Sequence, residues 1–208
     1  MNLRAQGKSK FNTMDKNASK HEIKWNGSIS YGNTIFIGDL NHFSSERYLP
    51  NVALAIKFNK EFNPKNSLQF SIIAGKNSGE NDPVDNNTPL ISFRSQYTQA
   101  NLAYRKALTH TGTQTPQLHL IAGVGYYYAD ALSTSTLDDS STELSDDVWS
   151  LVFPMGLELS YYIQEEWGAV LGVTNNIFSR DNIDLYESNN NGIDHQLIIN
   201  LGICYKFN

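Results

Sequence analysis

A chain of 208 residues with 16 Lys and Arg, 21 Asp and Glu and a net charge of −5 has no positive surplus for nucleic acid. No window approaches the ~18 consecutive apolar residues of a membrane helix. The single cysteine, Cys204, excludes a disulfide framework and a cysteine-based metal site, and reads as a small residue on a strand. A mean hydropathy of −0.41 does not exclude a transmembrane barrel, because alternating strands dilute any averaged scale.

Residues 1–21 are polar and carry Arg4, Lys8, Lys10, Lys16 and Lys20 against Asp15. They have no sustained period and read as a flexible tail, periplasmic if the chain is a barrel; a basic arm for an anionic surface is the functional alternative. The opening "MNLRAQGKSKFNTMDK" holds no apolar segment of signal-peptide type, so the chain is either cytosolic or a mature form.

From residue 22 to 208 a period of two sets in. "EIKWNGSISY" places Ile23, Trp25, Gly27, Ile29 and Tyr31 on one face. "NVALAIKFN" gives Val52, Leu54, Ile56 and Phe58; "SLQFSIIAG" gives Leu68, Phe70, Ile72 and Ala74. "YTQANLAYR" gives a weaker set, Thr98, Ala100, Leu102 and Tyr104. The second half is stronger, with Leu118, Leu120, Ala122, Val124, Tyr126 and Tyr128 in "QLHLIAGVGYYY" and Trp149 to Tyr161 at alternate positions of "VWSLVFPMGLELSYY". "EWGAVLGV" adds Trp167, Ala169, Leu171 and Val173, and the closing segment adds Leu197, Ile199, Leu201, Ile203, Tyr205 and Phe207. These make eight strands, most near the ~9–11 residues that cross a bilayer at a tilt.

The connections alternate in length. "EFNPKN" and "IQEE" are tight and "KALTHTGTQTP" is of medium length. "GDLNHFSSERYLP", "KNSGENDPVDNNTP", "DALSTSTLDDSSTELSDD" and "SRDNIDLYESNNNGID" read as long polar loops. Short turns at one rim and long loops at the other match an eight-stranded antiparallel transmembrane β-barrel, with short turns and both termini periplasmic and long loops extracellular.

A soluble sandwich or lipocalin-like barrel would point its apolar face inward. Here the other face is mostly Gly, Ala, Ser, Asn and Gln, interrupted by Lys24, Lys57, Arg105, Glu158 and Lys206. Small and polar groups suit the narrow interior of an eight-stranded barrel. On the apolar face Trp25, Tyr31, Phe58, Tyr104, Tyr126, Tyr128, Tyr161 and Trp167 fall mostly near strand ends, as aromatic girdles require.

Two resemblances rest on these residues. "NLGICYKF", with Asn200, Gly202, Tyr205 and Phe207, resembles the C-terminal assembly signal of outer-membrane barrels, which implies recognition by the barrel-insertion machinery; a single Asn208 follows it here. Residues 22–107 resemble the small OmpA-like barrels related to PorG, an outer-membrane component of type IX secretion. The matching elements are Gly38 to Leu40, the Asn63–Pro64 turn, the "GKNSGEND" loop and Ser92 to Arg94, while the second half matches only a generic OmpA-like barrel.

Some eight-stranded barrels modify lipid, so catalysis was weighed. Among His21, His42, His110, His119 and His195 only His119 falls mid-strand, and no spacing assembles a base with a nucleophile on a lipid-facing rim. His119 therefore reads as a satisfied interior residue. The interior charges read as an internal ion-pair network, with a basic periplasmic mouth for an acidic partner as the alternative. Loops rich in acid, with Asp138, Asp139, Glu143, Asp146 and Asp147 in one and Asp181, Asp184 and Glu187 in another, could share divalent cations with lipopolysaccharide phosphates. They lack the spacing of a calcium loop. Gly75, Gly123, Gly125, Gly156 and Gly172 read as room for long interior side chains.

The expectation is a non-enzymatic outer-membrane barrel without cofactor, metal or catalytic residues. It would contact outer-membrane lipid and lipopolysaccharide and serve as anchor or accessory subunit of an envelope complex. A small pore and a lipid A-modifying enzyme are the alternatives.

Overall fold

The computed structural model describes residues 24–38, 51–80, 90–109, 115–137, 140–180, 183–185 and 193–207. The tail 1–21, His21, His42, His110, Asp138, Asp139, Asp181, Glu187 and most of the remaining loop residues lie outside this set. The described chain is all β: β1 (Lys24–Ile37), β2 (Asn51–Asn63), β3 (Asn66–Glu80), β4 (Leu90–Ala107), β5 (Gln117–Leu137), β6 (Ser140–Tyr162), β7 (Trp167–Phe178) and β8 (His195–Phe207). Each pairs antiparallel with its sequence neighbours, and β1 pairs with β8 from Trp25↔Phe207 to Ile37↔His195, which closes the ring.

The register sets the shape. Followed around the ring, Trp25 faces Lys60, then Leu68, Tyr104, Ala122, Met155, Asn175, Leu197 and finally Ile35. The stagger from Trp25 to Ile35 tilts the strands by roughly 40° and leaves an interior only wide enough for side chains. Pro154 is buried inside β6, where it cannot donate to a ladder. Opposite it the β5–β6 register is interrupted between Ala122↔Met155 and Gly125↔Val152.

Within the closed ring burial alternates along each strand, and the sense is inside-out for a soluble protein. Large apolar side chains such as Ile29, Leu54, Phe70, Leu102, Val124, Leu157, Leu171 and Leu201 stand exposed on the outside. Asn26, Lys57, Gln69, Gln99, Asn101, Arg105, Glu158, Asn176 and Gln196 are buried within. An outward apolar belt around a closed ladder is what a bilayer demands, since lipid offers no partner for an open edge.

Turns 64–65 and 163–166 lie at one rim with residues 108–109 and 115–116, and this is called here the short-turn rim. Asn63 builds the first turn, its Oδ1 accepting from the Lys65 amide at 3.0 Å and from Asn66 Nδ2 at 2.9 Å. At the other rim the structure corrects the expected loops. Much of "DALSTSTLDDSSTELSDD" is strand: β5 runs to Leu137 and β6 begins at Ser140, so Glu143, Asp146 and Asp147 sit on a hairpin. β6 leaves β7 at Val152↔Phe178, and β2 leaves β3 at Ala53↔Gly75. The ends of β3 to β6 beyond those points therefore form a wall, β6 extending it by on the order of 40 Å of strand. Both faces of that wall are outside the belt, so no one-sided apolar pattern marks it in the sequence.

Candidate functional site

The interior holds two different fillings. Toward the short-turn rim, Glu158 on β6 accepts from Lys57 Nζ on β2 at 2.8 Å through Oε2 and from Arg105 Nε on β4 at 3.1 Å through Oε1. All three side chains are buried, so each cation depends on that carboxylate. His119 is interior as expected and faces Glu158 in the β5–β6 ladder, but among the described residues its Nδ1 has no hydrogen-bond partner, against the expectation of a satisfied side chain. Below this cluster Gln69 donates to Asn59 at 2.9 Å, Asn59 to Asn26 at 2.6 Å, and Asn26 to Glu61 Oε1 at 2.8 Å.

Lys57 is thus an interior residue rather than part of a mouth. Its strand continues to Asn63, past the point where the alternation of "NVALAIKFN" ends, and the same parity brings Glu61 to the inside, which the sequence reading missed. At the short-turn rim itself Lys24 is exposed and Lys206 half-buried, with Lys206 Nζ 3.6 Å from the ring centre of Tyr162. Gly172 makes space for the ion cluster: a Cβ there would meet Asn200 Oδ1 at 2.5 Å and Lys57 Nζ at 3.5 Å.

A ladder of amides climbs from the charges. Asn101 donates to Ser71 Oγ at 3.2 Å and Gln99 to Asn101 at 2.8 Å; Asn176 reaches Gln99 at 3.2 Å and Gln196 at 2.9 Å. Gln196 then donates to Asn77 at 2.9 Å, and Asn77 to the Tyr127 hydroxyl at 3.0 Å. Between ladder and ion cluster lies a cavity of about 20 Å³, lined in part by Lys57, Ser71, Asn101 and Asn200. That is room for one water, not for a solute.

Toward the long-loop rim the interior becomes an apolar core, against the expectation of small and polar groups. Phe36 packs edge-on to Phe93 at 5.0 Å, Tyr127 stacks on Tyr97 at 5.2 Å and meets Phe178 at 4.8 Å. Ile183, from the β7–β8 connection, is fully buried among them, and its amide donates to Asp194 Oδ2 at 2.9 Å. Leu185 follows at φ 60°, a left-handed conformation uncommon for a branched side chain. Residues 183–185 are thereby held against the apolar core, and Asp184 is buried there, not displayed as a loop acid.

On the outside, Trp25, Tyr161 and Trp167 mark the short-turn edge of the belt. The rings of the C-terminal strand join them: Trp167 lies 4.7 Å from Tyr205, and Tyr205 5.3 Å from Phe207. Phe207 leans over Gly27 on β1, where a Cβ would meet the ring at 3.3 Å, so the terminal aromatic fastens the β1–β8 seam. An apolar hollow of about 320 Å³ opens beside it, lined by Gly27, Ile29, Phe58, Trp167 and Ile203 among others. Asn200 and Gly202 of the same strand face inward. Tyr104 stands outward on β4, and at the other edge Tyr126 and Tyr128 flank Trp149, with the Arg180 guanidinium 3.6 Å over its ring. Tyr31 departs from the girdle. β1 runs on to Ile37, so Tyr31 is mid-strand, between Leu54 and Leu201. Phe58 is likewise inside β2, opposite Gly27 and Phe70.

Among the described residues no group of three or more His, Cys, Asp and Glu side chains is placed to hold a metal. No family model and no curated protein matches the sequence. Solved structures do match. Ail, the attachment invasion locus protein of Yersinia pestis, crystallised with the heparin analogue sucrose octasulfate, aligns over 89% of this chain and 99% of its own at 17% identity, with a TM-score of 0.52. The chain has the fold of a small outer-membrane β-barrel. Neisserial surface protein A (12% identity, 88% of this chain, 97% of that one, TM-score 0.44) and OprG of Pseudomonas aeruginosa (12%, 89%, 95%, 0.43) also align.

Proposed function

We propose that the protein is an integral outer-membrane barrel that works without catalysis, as anchor or accessory subunit of a larger envelope complex. Type IX secretion is the assembly that its resemblance to PorG-like barrels implies. The observation that supports this reading is the filled interior of the described residues. An ion cluster, an amide ladder and an aromatic core follow one another along the axis, and the cavity between them has the size of a single water. A barrel filled in this way would act through its surfaces.

Those surfaces differ at the two rims. The short-turn rim carries Lys24 and Lys206 and the start of the strand that follows the Lys-rich tail, a setting for an acidic periplasmic partner. The opposite wall exposes Asp130 directly across from Asp147, with Asp146 and Glu143 near them. Paired carboxylates of this kind attract divalent cations, which lipopolysaccharide phosphates also hold. During biogenesis the Tyr205 and Phe207 strand would be read by the insertion machinery.

Affinity capture of the tagged barrel from detergent-solubilised envelope tests the reading. Other envelope proteins should co-purify in fixed ratio, and recovery of the barrel alone, with and without residues 1–21, would overturn it. A stable open channel in planar bilayers would replace the anchor by a pore, and altered lipid A acylation in cells lacking the protein would replace it by an enzyme.

A further inference from the structure

The outward face of β1 breaks the pattern of the belt. Tyr31 is 60% exposed and Asn33 is exposed two residues further on. Asn33 is flanked by Val52 and Ile199 across the ladders and by Ile35 along its own strand. Both lie within the belt: at the tilt set by the register, Tyr31 stands roughly 15 Å and Asn33 roughly 20 Å from the level of Trp25 in a belt about 25 Å tall, Tyr31 near its middle and Asn33 toward its long-loop side. Among the described residues neither side chain has a hydrogen-bond partner. Nearby Asn175, also outward, does have one, His195 Nδ1 at 3.4 Å. Lipid tails offer neither donor nor acceptor, so an amide and a phenol at this depth point to another membrane-spanning chain.

We propose that this face, the β1–β8 seam, is a lateral interface with a second copy of the chain. The argument rests on the barrel being membrane-inserted and adds a partner within the membrane plane. Copies inserted in the same sense can be related by a two-fold axis only along the membrane normal. Such an axis keeps every residue at its own depth, and strands tilted by roughly 40° cross their copies at one level, which we place at Asn33, so that Asn33 meets Asn33. An amide carries both donor and acceptor, so that pair is self-complementary. A lone lysine or carboxylate would not be.

The experiment is oxidative cross-linking in native membranes, in a Cys204→Ala background that removes the one native thiol. Asn33→Cys should give a band at twice the monomer mass, and Val124→Cys, outward on β5, should not. A heat-dependent mobility shift reports separately that each variant is inserted and folded; loss of that shift in the background chain would refute the membrane-barrel reading itself. Inserted but uncross-linked Asn33→Cys, a cross-link to a chain of another mass, or equal yield at Val124 would each overturn the dimer. For the cysteine-independent arm, native mass spectrometry of the unmodified chain in lipid nanodiscs should show a dimer that Asn33→Leu weakens about 3- to 20-fold. A monomer there, or a dimer indifferent to Asn33→Leu, would equally overturn it.

Discussion

The two ends of the interior solve one problem by opposite means. Toward the short-turn rim a polar space is held by Glu158 between Lys57 and Arg105, and its stability depends on charges staying matched. Toward the long-loop rim Phe36, Phe93, Phe178, Tyr97, Tyr127 and Ile183 form the kind of core found in a soluble protein. The first kind of filling is brittle, because one lost partner strands two cations. The second is graded, because each lost ring removes only its own contacts and leaves a cavity.

Substitution should expose that difference. Glu158→Ala has the largest expected effect, about 3–5 kcal/mol, since it leaves buried cations without a counter-charge. The triple replacement of Lys57, Arg105 and Glu158 by Met, Met and Leu should recover most of the loss. Urea titration of the refolded barrel in lipid, followed by tryptophan fluorescence, measures both; a triple variant as unstable as the single one would show that packing, not charge, is at stake. Phe36→Ala should cost about 3–4 kcal/mol without any such rescue by a charge change. Gly172→Ala should cost less, about 1–2 kcal/mol, as Asn200 and Lys57 are crowded by the added methyl. Its effect should shrink sharply when Lys57 is already Met, and an unchanged effect would mean that the glycine serves the backbone alone.

What the sequence disclosed follows the same division. The strands were legible because a lipid-facing side chain and an interior one must alternate, and this parity alone put Lys57, Arg105 and Glu158 inside. Parity also put Tyr97 and Tyr127 inside, but an interior pictured as small and polar gave them no role, and Phe36 lay beyond the strand read from "EIKWNGSISY". The signal was the aromatic on the wrong face. Residues 130–147 were not legible as strand because neither side of that hairpin meets lipid, so Ser, Thr and Asp serve on both. Tyr31 was misplaced at an edge for a related reason: beyond it Gly32, Asn33 and Thr34 interrupt the apolar pattern although the strand continues.

The Trp25↔Phe207 pairing has a consequence for how the molecule comes to exist. Every other ladder joins neighbours in sequence and can form as the chain is made, but this one joins strands from opposite ends of the described chain. Its loop-closure entropy is the largest among these ladders, so it is the one expected to form last. Until it forms, β1 and β8 each present an unpaired edge, which in lipid carries several kcal/mol per exposed group. The ring of Phe207 against Gly27 therefore acts last, as a latch, and a lesion there should slow maturation of the barrel far more than it loosens the finished one.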